Sequence, residues 1–247
     1  MYLYSNIKVN KKRLIKSVYK MAKIGKLNNG GCRRLAFSDE DFKARKLLIN
    51  WCTKIGLNVT IDPIGNLFAE FKSKFRNSKS IGIGSHLDTQ PHGGKFDGSY
   101  GVLAGLEVIR TLIDYNIMPK KSIKLINWSN EEGCRFTPPL MGSSFYAKNI
   151  KLNSALKTLD KNNISIENEF QKKFPKNITK KSNNELESFI EIHIEQGPIL
   201  EKSKKNIGIV TKAQGSRGLD VIIKGQDAHS GTTPMNMRKD ALTVAAN

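Results

Sequence analysis

The stretch that decides the fold is IGIGSHLDTQPHGGKFDGSYGVLAGLEVIRTLIDYNIMPKKSIKLINW, residues 81–128. It opens with Ile81 to Ser85, which is predicted to be a short buried strand, and it closes with Ile123 to Trp128, which is predicted to be another strand. Between them the sequence predicts a Gly-rich loop that ends at Gly98 and a helix from about Tyr100 to Tyr115. A strand, a helix and a strand in this order favour an α/β fold with a largely parallel sheet.

Further helices and strands are predicted upstream of this stretch. Asn10 is a candidate N-cap for a first helix, and Ser38, followed by three acidic residues, is a candidate N-cap for a second helix that reaches about Ile55. Val59–Ile61 and Leu67–Phe71 are predicted to be strands on either side of a turn. The sequence therefore predicts an α/β domain with a mostly parallel mixed sheet that is flanked by helices.

Downstream, the pattern becomes weaker and then changes. Residues 148–187 are polar, which is typical of a surface helix and a loop. Phe189 to Ile194 alternates between apolar and polar residues and predicts another strand. A strand at Leu219–Ile223 and a helix that begins at Thr233–Pro234 then predict a second domain. We predict that the first domain covers residues 1–208 and that the second begins at residue 209 and covers residues 209–247.

The net charge would ordinarily suggest a polyanionic partner. The chain has 41 basic and 22 acidic residues, a formal charge of +19, and such an excess is typical of proteins that bind nucleic acid or anionic membranes. Its distribution argues against this, because residues 1–26 carry eight basic and no acidic groups whereas residues 81–147 carry six of each. We therefore predict neither a nucleic-acid partner nor a membrane partner.

The lack of targeting features points to the cytoplasm. No apolar run approaches the roughly 20 residues that a bilayer span needs, and the N-terminus lacks the apolar region of a secretory signal. The three cysteines, Cys32, Cys52 and Cys134, have a spacing that fits neither a disulfide framework nor a cysteine-based zinc site. The sequence predicts a cytoplasmic protein.

The first candidate functional cluster follows the strand Ile81 to Ser85. His86 and Asp88 project to the same side of an extended chain, at the strand end where ligand sites of open α/β sheets lie. A His-x-Asp pair by itself is more often structural than functional. Asp97 follows nine residues later between glycines that let the backbone turn tightly and the carboxylate reach inward.

Two further clusters follow other predicted strands. Glu131 and Glu132 follow the strand that ends at Trp128, after Ser129 and Asn130. Near a cation, one of them could coordinate while the other takes a proton from a water. His193 lies on the polar face of the Phe189–Ile194 strand, where a structural histidine is the favoured interpretation of this residue alone. Together, imidazoles and carboxylates suit Zn²⁺ or Mn²⁺. Two ions about 3.5–4 Å apart, bridged by a carboxylate such as Asp97, would support hydrolysis.

Taken together, these motifs resemble one branch of a known family. The stretches are SHLDTQPHGGKFDGSYGVLAGLEV (85–108), NEEGCRF (130–136), IEIHIEQGP (190–198) and GQDAHSGTTPMNMRKDA (225–241). They resemble the hydantoinase/carbamoylase branch of the M20-type metal amidohydrolases, which contains N-carbamoyl-L-amino-acid hydrolases, ureidopropionases and allantoate amidohydrolases. RLAFSDEDFKAR (34–45) and DPIGNLFAEF (62–71) extend the resemblance to nearly the whole chain except residues 148–187.

The resemblance implies two divalent metal ions, with Zn²⁺ first and Mn²⁺ or Co²⁺ as alternatives. His86, Asp97 and His193 resemble the ligands of one ion. Asp97 would bridge the two ions, and Glu132 resembles a ligand of the second.

The resemblance also implies the catalytic and substrate-binding residues. Glu131 resembles the general base that activates the water and later protonates the leaving ammonia, and Asp88 resembles the residue that orients His86. Gln196 matches a substrate-binding position. His229 matches a lid histidine that stabilises the oxyanion, often across a dimer interface.

We therefore predict a catalytic domain followed by the start of an α+β lid and dimerisation domain. The predicted activity is metal-dependent hydrolysis of the ureido C–N bond of an N-carbamoyl amino acid, which releases amino acid, CO₂ and ammonia, in a homodimer. Allantoate amidohydrolase is the alternative because it shares every motif, and a truncated, inactive remnant is the second. Family members are longer, so we expect this chain to lack most of the lid and a further histidine that binds the second metal.

Overall fold

The computed structural model describes residues 6–75, 79–174, 185–215 and 218–246. Its strands are β1 (Asn58–Ile61), β2 (Leu67–Phe71), β3 (Ser80–His86), β4 (Ile123–Trp128) and β5 (Leu186–Ile190). Its α-helices are α1 (Lys11–Ala22), α2 (Asp39–Lys54), α3 (Ser99–Asp114), α4 (Met141–Tyr146), α5 (Leu152–Leu156), α6 (Ile166–Lys173), α7 (Ile199–Lys202) and α8 (Ala241–Ala246). In this part of the chain no helix is both long and apolar enough to cross a membrane.

The first two helices begin at the residues that the sequence predicts. The side chain of Asn10 accepts a hydrogen bond from the backbone N–H of Arg13 at 3.0 Å. α1 starts at Lys11, the residue after Asn10. The Ser38 hydroxyl accepts from the backbone N–H of Asp41 at 3.2 Å, and α2 follows. Each cap satisfies one of the N–H groups that a helix N-terminus leaves without an intrahelical partner.

The five strands form one mixed sheet in the order β1-β2-β4-β3-β5. β3 pairs in parallel with both β4 and β5, whereas β1 with β2 and β2 with β4 are antiparallel. The predicted fold class is confirmed, with two of the four pairings parallel. Because β3, β4 and β5 run in the same direction, their carboxyl ends lie at one edge of the sheet.

The hydrophobic core covers both faces of this sheet. Leu125 of β4 joins the main core together with Leu48 of α2 and Leu106 of α3. The next residue, Ile126, points to the opposite face and belongs to a smaller cluster with Phe68 and Trp128. β4 is therefore buried on both sides.

Two glycines bring α3 close to the sheet. A Cβ at Gly101 would lie 2.8 Å from the Cβ of Ser85, and a Cβ at Gly105 would lie 2.8 Å from the side chain of Leu125. Real Cβ atoms do not approach other atoms this closely, so larger residues would push the helix away. The close packing holds the N-terminus of α3 next to the carboxyl end of β3.

β5 starts and ends earlier than the sequence predicts. The alternation predicts a strand over Phe189–Ile194, but the ladder with β3 ends where Ile190 pairs with Ile83. Beyond Ile190, side-chain contacts replace the ladder, because the Ser85 hydroxyl donates to the Glu191 carboxylate at 2.5 Å. Alternating polarity indicates on which face of the sheet each side chain lies. It does not indicate where the backbone hydrogen bonds between the strands end.

The contacts within the chain divide it into two units, Met1–Gln196 and Gly197–Asn247. The predicted domain boundary between residues 208 and 209 stays a prediction. In the second unit the predicted strand Leu219–Ile223 is wrong, because the structure assigns no strand there. A strand needs a neighbour for its backbone groups, and none pairs with this segment among the described residues.

The last helix also differs from the prediction. Met235–Met237 form one 3₁₀ turn after Pro234, and the α-helix begins only at Ala241. The Asp240 carboxylate accepts from the backbone N–H groups of Leu242 and Thr243, at 2.8 and 3.2 Å. Asp240 therefore caps this helix instead of Thr233.

Candidate metal centre

Three proposed metal ligands converge at the carboxyl edge of the sheet. His86 is the last residue of β3, Asp97 lies in the loop before α3, and His193 follows β5. Asp97 Oδ1 lies 3.2 Å from His193 Nε2 and 3.9 Å from His86 Nε2. One ligand atom from each residue lies within 4.8 Å of the others. The structure thus brings together the three residues that the sequence assigns to one ion.

Both imidazoles are oriented by backbone carbonyl groups. His86 Nδ1 lies 2.9 Å from the Asp88 carbonyl oxygen, and His193 Nδ1 lies 2.8 Å from the Ile194 carbonyl oxygen. A neutral ring that donates from Nδ1 carries its lone pair on Nε2, which is the arrangement that metal-ligating histidines adopt. Two imidazole nitrogens and one carboxylate suit Zn²⁺, Mn²⁺ or Co²⁺, so the donor set fits a divalent ion.

Gly98 makes room for the His86 ring. Its φ is +58°, and a Cβ there would lie 2.4 Å from His86 Nε2. Any other residue would be strained in this backbone conformation and would also collide with the imidazole. The ring can therefore lie against the N-terminus of α3, next to Asp97.

The carboxylate of Asp88 holds the neighbouring loop, and its backbone carbonyl contacts the His86 ring. Its two carboxylate oxygens accept from the backbone N–H groups of Glu131 and Glu132, at 3.3 and 3.1 Å. Its Oδ1 is 3.8 Å from His86 Nδ1, so the Asp88 carbonyl is the closer partner of the ring. Burial raises the pKa of Asp88 above its usual value, and His86 acts in the opposite direction.

Glu131 lies beside the candidate ligands. Its Oε2 is 3.4 Å from His86 Nε2, and its side chain is half-buried. Burial raises the pKa of Glu131, while His86 opposes the rise. Burial lowers the pKa of His86, but the charges of Asp88 and Glu131 more than offset this, so that it is raised overall. A carboxyl group with a raised pKa is suited to accept and return a proton.

Glu132 lies apart from the group of three ligands but has an unused oxygen. Its Oε2 accepts from Gln90 Nε2 at 2.6 Å, whereas its Oε1 is buried and has no hydrogen-bond partner among the described residues. A buried carboxylate oxygen without a partner is costly, and a cation would satisfy it. Nothing in the sequence pattern singled out Gln90, which also contacts the Sγ of Cys134 at 2.8 Å.

Gln196 contacts the central carboxylate of the group. Its Nε2 donates to Asp97 Oδ2 at 2.5 Å, while Asp97 Oδ1 faces the two histidines. The residue predicted to bind substrate therefore lies at the candidate metal centre and fixes the orientation of Asp97.

His229 belongs to the second unit and is exposed. Its Nδ1 accepts from the backbone N–H groups of Gly231 and Thr232, at 3.0 and 3.1 Å. The neutral ring therefore carries its proton on Nε2, where it can act as a hydrogen-bond donor. The Arg238 guanidinium shapes the same turn by donating to the carbonyl groups of Ser230 and Thr233.

A buried arginine that the sequence patterns did not single out supports the loop before Glu131. Arg45 is 1% exposed, and it pairs with Asp41 at 3.0 Å. It also donates to the Gly65 carbonyl at 2.6 Å and to the Ser129 hydroxyl at 3.2 Å. An arginine among charged residues of a helix is typical of a solvated face, so only long-range contacts reveal this role.

Comparison with known proteins shows the family of the chain. A family model described as peptidase family M20/M25/M40 matches residues 82–247. The chain belongs to this family. This M20 chain is 41% identical over 236 residues to an N-carbamoyl-L-amino-acid amidohydrolase of Rhizobium meliloti, covering 96% of this chain and 57% of that protein. It is 32% identical over 228 residues to an allantoate amidohydrolase of Bacillus subtilis, covering 92% and 55%.

A solved structure extends the likeness of the M20 chain to the fold. The crystal structure of a hydantoinase/carbamoylase family amidase from Burkholderia ambifaria has 39% identity and a TM-score of 0.82, and the match covers 97% of this chain and 59% of that one. The resemblance to the hydantoinase/carbamoylase branch is confirmed. The M20 chain spans somewhat more than half the length of these relatives.

Proposed function

We propose that the protein hydrolyses the ureido C–N bond of an N-carbamoyl amino acid in a metal-dependent reaction. One substrate and one water yield one amino acid, one CO₂ and one ammonia. The observation that carries the proposal is the convergence of His86, Asp97 and His193 with both Nε2 atoms turned to one carboxylate. The name of the Rhizobium meliloti relative supports the substrate class.

The proposed centre takes two divalent ions, Zn²⁺ first, with Mn²⁺ or Co²⁺ as alternatives. His86, Asp97 and His193 would hold one ion, and Glu132, together with Asp97, would hold the second. The buried, unpartnered Oε1 of Glu132 supports this second position. When bound, such ions polarise a carbonyl group and lower the pKa of a water.

The residues around this centre divide the remaining work. Glu131 takes the proton of the attacking water and returns it to the leaving nitrogen, which its raised pKa favours. Asp88 holds the backbone of the Glu131–Glu132 loop in place. Gln196 and His229 bind the substrate, and the Nε2–H of His229 donates to the negative charge that develops on the ureido oxygen.

The proposal extends to assembly and location. We place the protein in the cytoplasm as a homodimer. The dimer rests on the resemblance of residues 225–241 to the lid segment of the family, and the cytoplasm is supported by three cysteines that are all free thiols.

The test is an assay of the purified chain with Zn²⁺, Mn²⁺ or Co²⁺ against a panel of N-carbamoyl-L-amino acids and allantoate. We expect release of ammonia together with the free amino acid from an N-carbamoyl substrate. Faster turnover of allantoate would replace the proposed substrate with the alternative. Bound metal without turnover of any of these compounds would show that this chain is an inactive remnant.

Substituting the proposed general base gives a sharper prediction. Glu131→Gln keeps the shape of the side chain but cannot take a proton, so we expect kcat to fall by about 10²–10⁴-fold while metal stoichiometry stays unchanged. Steady-state kinetics and calorimetric metal titration measure the two effects. Glu187→Gln on β5 is the control, because Glu187 forms an exposed ion pair with Lys121. Near-full activity of Glu131→Gln would contradict the assignment.

A further inference from the structure

A buried guanidinium lies next to the candidate metal centre. The Arg34 side chain is 0% exposed. Its Nε donates to the Leu87 carbonyl at 3.0 Å, its Nη1 to the Ile24 carbonyl at 3.1 Å and its Nη2 to the Ser99 hydroxyl at 2.7 Å. All three acceptors are neutral, and in the described part of the chain no carboxylate pairs with Arg34.

The partners of Arg34 are neighbours of the proposed ligands. Leu87 directly follows His86, and Ser99 comes two residues after Asp97. One planar group with its donors in a fixed geometry therefore joins the segment that carries His86 to the segment that carries Asp97. Asp97 Oδ1 and His86 Nε2 are the two ligand atoms, 3.9 Å apart, whose separation this link can set.

The backbone of Arg34 adds to the same link. Its N–H donates to the Thr89 hydroxyl at 2.8 Å, and its carbonyl accepts from the Thr89 N–H at 2.9 Å. Residues 87 and 89 are thus both tied to Arg34, on either side of Asp88. Together with the bond from Arg34 Nη2 to Ser99, the first residue of α3, these bonds tie the segment that follows β3 to α3.

Simple stabilisation of the fold explains this arrangement poorly. Transferring a guanidinium into the interior is unfavourable unless a charge partner and hydrogen bonds compensate for the lost hydration. Arg45, which is as deeply buried, has such a partner in Asp41, whereas Arg34 has only neutral acceptors. A residue kept at this cost is better explained by the geometry that it imposes.

We infer that Arg34 is a positioning residue that sets the separation of His86 and Asp97 for metal binding. The inference rests on the proposed metal-dependent function. Lysine at this position would keep the charge but could reach only one of the three acceptors, because its ammonium is a single point on a flexible stem. Arg34→Lys therefore keeps the positive charge and changes only the hydrogen-bonding geometry of the side chain.

The experiment measures Co²⁺ binding to the full chain by calorimetry and by the visible d–d absorption of the bound ion. Arg34→Lys and Arg34→Met are expected to weaken Co²⁺ binding by about 10–100-fold and to alter the absorption bands. Arg13→Met is the matched control, because Arg13 joins α1 to Glu107 and Asp114, farther along α3. We expect it to change Co²⁺ affinity by less than about twofold.

A milder substitution covers the case in which Arg34 variants fail to fold, as judged by circular dichroism. Ser99→Ala removes one acceptor and leaves Arg34 in place, and it should weaken Co²⁺ binding by a smaller factor. Where Arg34→Lys does fold, the double variant Arg34→Lys, Ser99→Ala gives a further test. If Ser99 acts through Arg34, the double variant binds Co²⁺ as Arg34→Lys does, because the effects of coupled residues are not additive.

The outcomes separate this inference from the proposed function. Wild-type affinity and absorption in folded Arg34→Lys, or in Ser99→Ala where the Arg34 variants do not fold, would overturn the positioning role and leave the metal centre intact. Failure of the wild-type chain to bind Co²⁺ more tightly than His86→Ala would overturn the metal centre and this inference with it.

Discussion

At the scale of single residues, backbone groups determine much of the geometry of the site. The Asp88 carbonyl and the Ile194 carbonyl orient the two imidazoles, and the amides of the Glu131–Glu132 segment hold the Asp88 carboxylate. Side chains of the right type are therefore not sufficient for metal binding. The backbone after each strand must also follow a defined path, and Gly98 makes one such path possible.

The exposure of the three cysteines predicts which thiol reacts with an alkylating reagent. Cys134 is exposed, whereas Cys32 and Cys52 are buried. Partial burial of its thiol and the charge of Glu132 raise the pKa of Cys134 to about 11, and burial raises the pKa of Cys52 to about 12. We expect iodoacetamide at pH 8 to modify one thiol, on the order of 100-fold more slowly than free cysteine. The rate should rise about tenfold per pH unit up to pH 10.

Intact-mass measurement at successive pH values follows this reaction. Cys134→Ser should abolish it, and all three thiols of the wild type should react in denaturant. Modification of two thiols in the folded chain, or a rate that levels off below pH 9, would contradict the assigned pKa of Cys134.

At the scale of helices and strands, the parallel ladders of β3 with β4 and β5 bring the functional residues to one edge of the sheet. α3 adds Asp97 to this edge because Gly101 and Gly105 allow the helix to lie directly on the sheet. The site therefore depends on three strand ends and one helix N-terminus rather than on any single loop.

Asn127 of β4 gives a prediction at this scale. Its side chain is 0% exposed, and neither its amide nitrogen nor its oxygen has a hydrogen-bond partner among the described residues. Leucine has a similar shape and no polar atoms, so Asn127→Leu should increase the free energy of unfolding by about 1–3 kcal/mol. Denaturant unfolding measures the change.

Asn66 provides the matched control for this substitution. It is equally buried, but its amide donates to Asp62 and to the Gly142 carbonyl, and its oxygen accepts from the Ser129 N–H. Asn66→Leu leaves these groups without partners and should decrease the free energy of unfolding. A loss of stability in Asn127→Leu as large as in Asn66→Leu would contradict the prediction.

Elements whose signals are local could be predicted from the sequence. Asn10 and Ser38 cap their helices as predicted, and β4 has the predicted bounds. β5 was displaced because pairing depends on β3, not on alternation alone. The ligand types at the strand ends were visible in the sequence, whereas the link through Arg34 was not, since it joins residues more than 50 positions apart.

At the scale of the whole molecule, the two units differ in how much they bury. The core described above lies in the first unit, whereas none of the described side chains of residues 197–246 is buried. Large apolar residues of this second unit are strongly exposed, including Ile209 at 87% and Leu219 at 88%. The stability of the chain therefore resides in the first unit.

This contrast predicts the effect of truncation. A chain that ends at residue 198 keeps the core, the five strands and His193, so we expect its Tm to lie within about 3 °C of the full chain, because less than about 1 kcal/mol is lost. Its Co²⁺ affinity should change by less than about twofold. Binding of a hydrophobic dye should decrease, since exposed apolar residues are removed.

The control is a chain that ends at residue 185, before β5 begins. It removes His193 and the strand that pairs with β3, so it should lose both stability and Co²⁺ binding. A large fall in Tm for the chain that ends at residue 198 would contradict the conclusion that the second unit contributes little to folding stability.

The proposed ligands are far apart in the sequence and are therefore synthesised at different times. His193 lies 96 residues after Asp97, so at a synthesis rate of about 5–20 residues per second it leaves the ribosome about 5–20 s later. During that interval the nascent chain holds His86 and Asp97 without the third ligand. All three proposed ligands are therefore present only late in biosynthesis, after the scaffold of β3, α3 and β4 has been made.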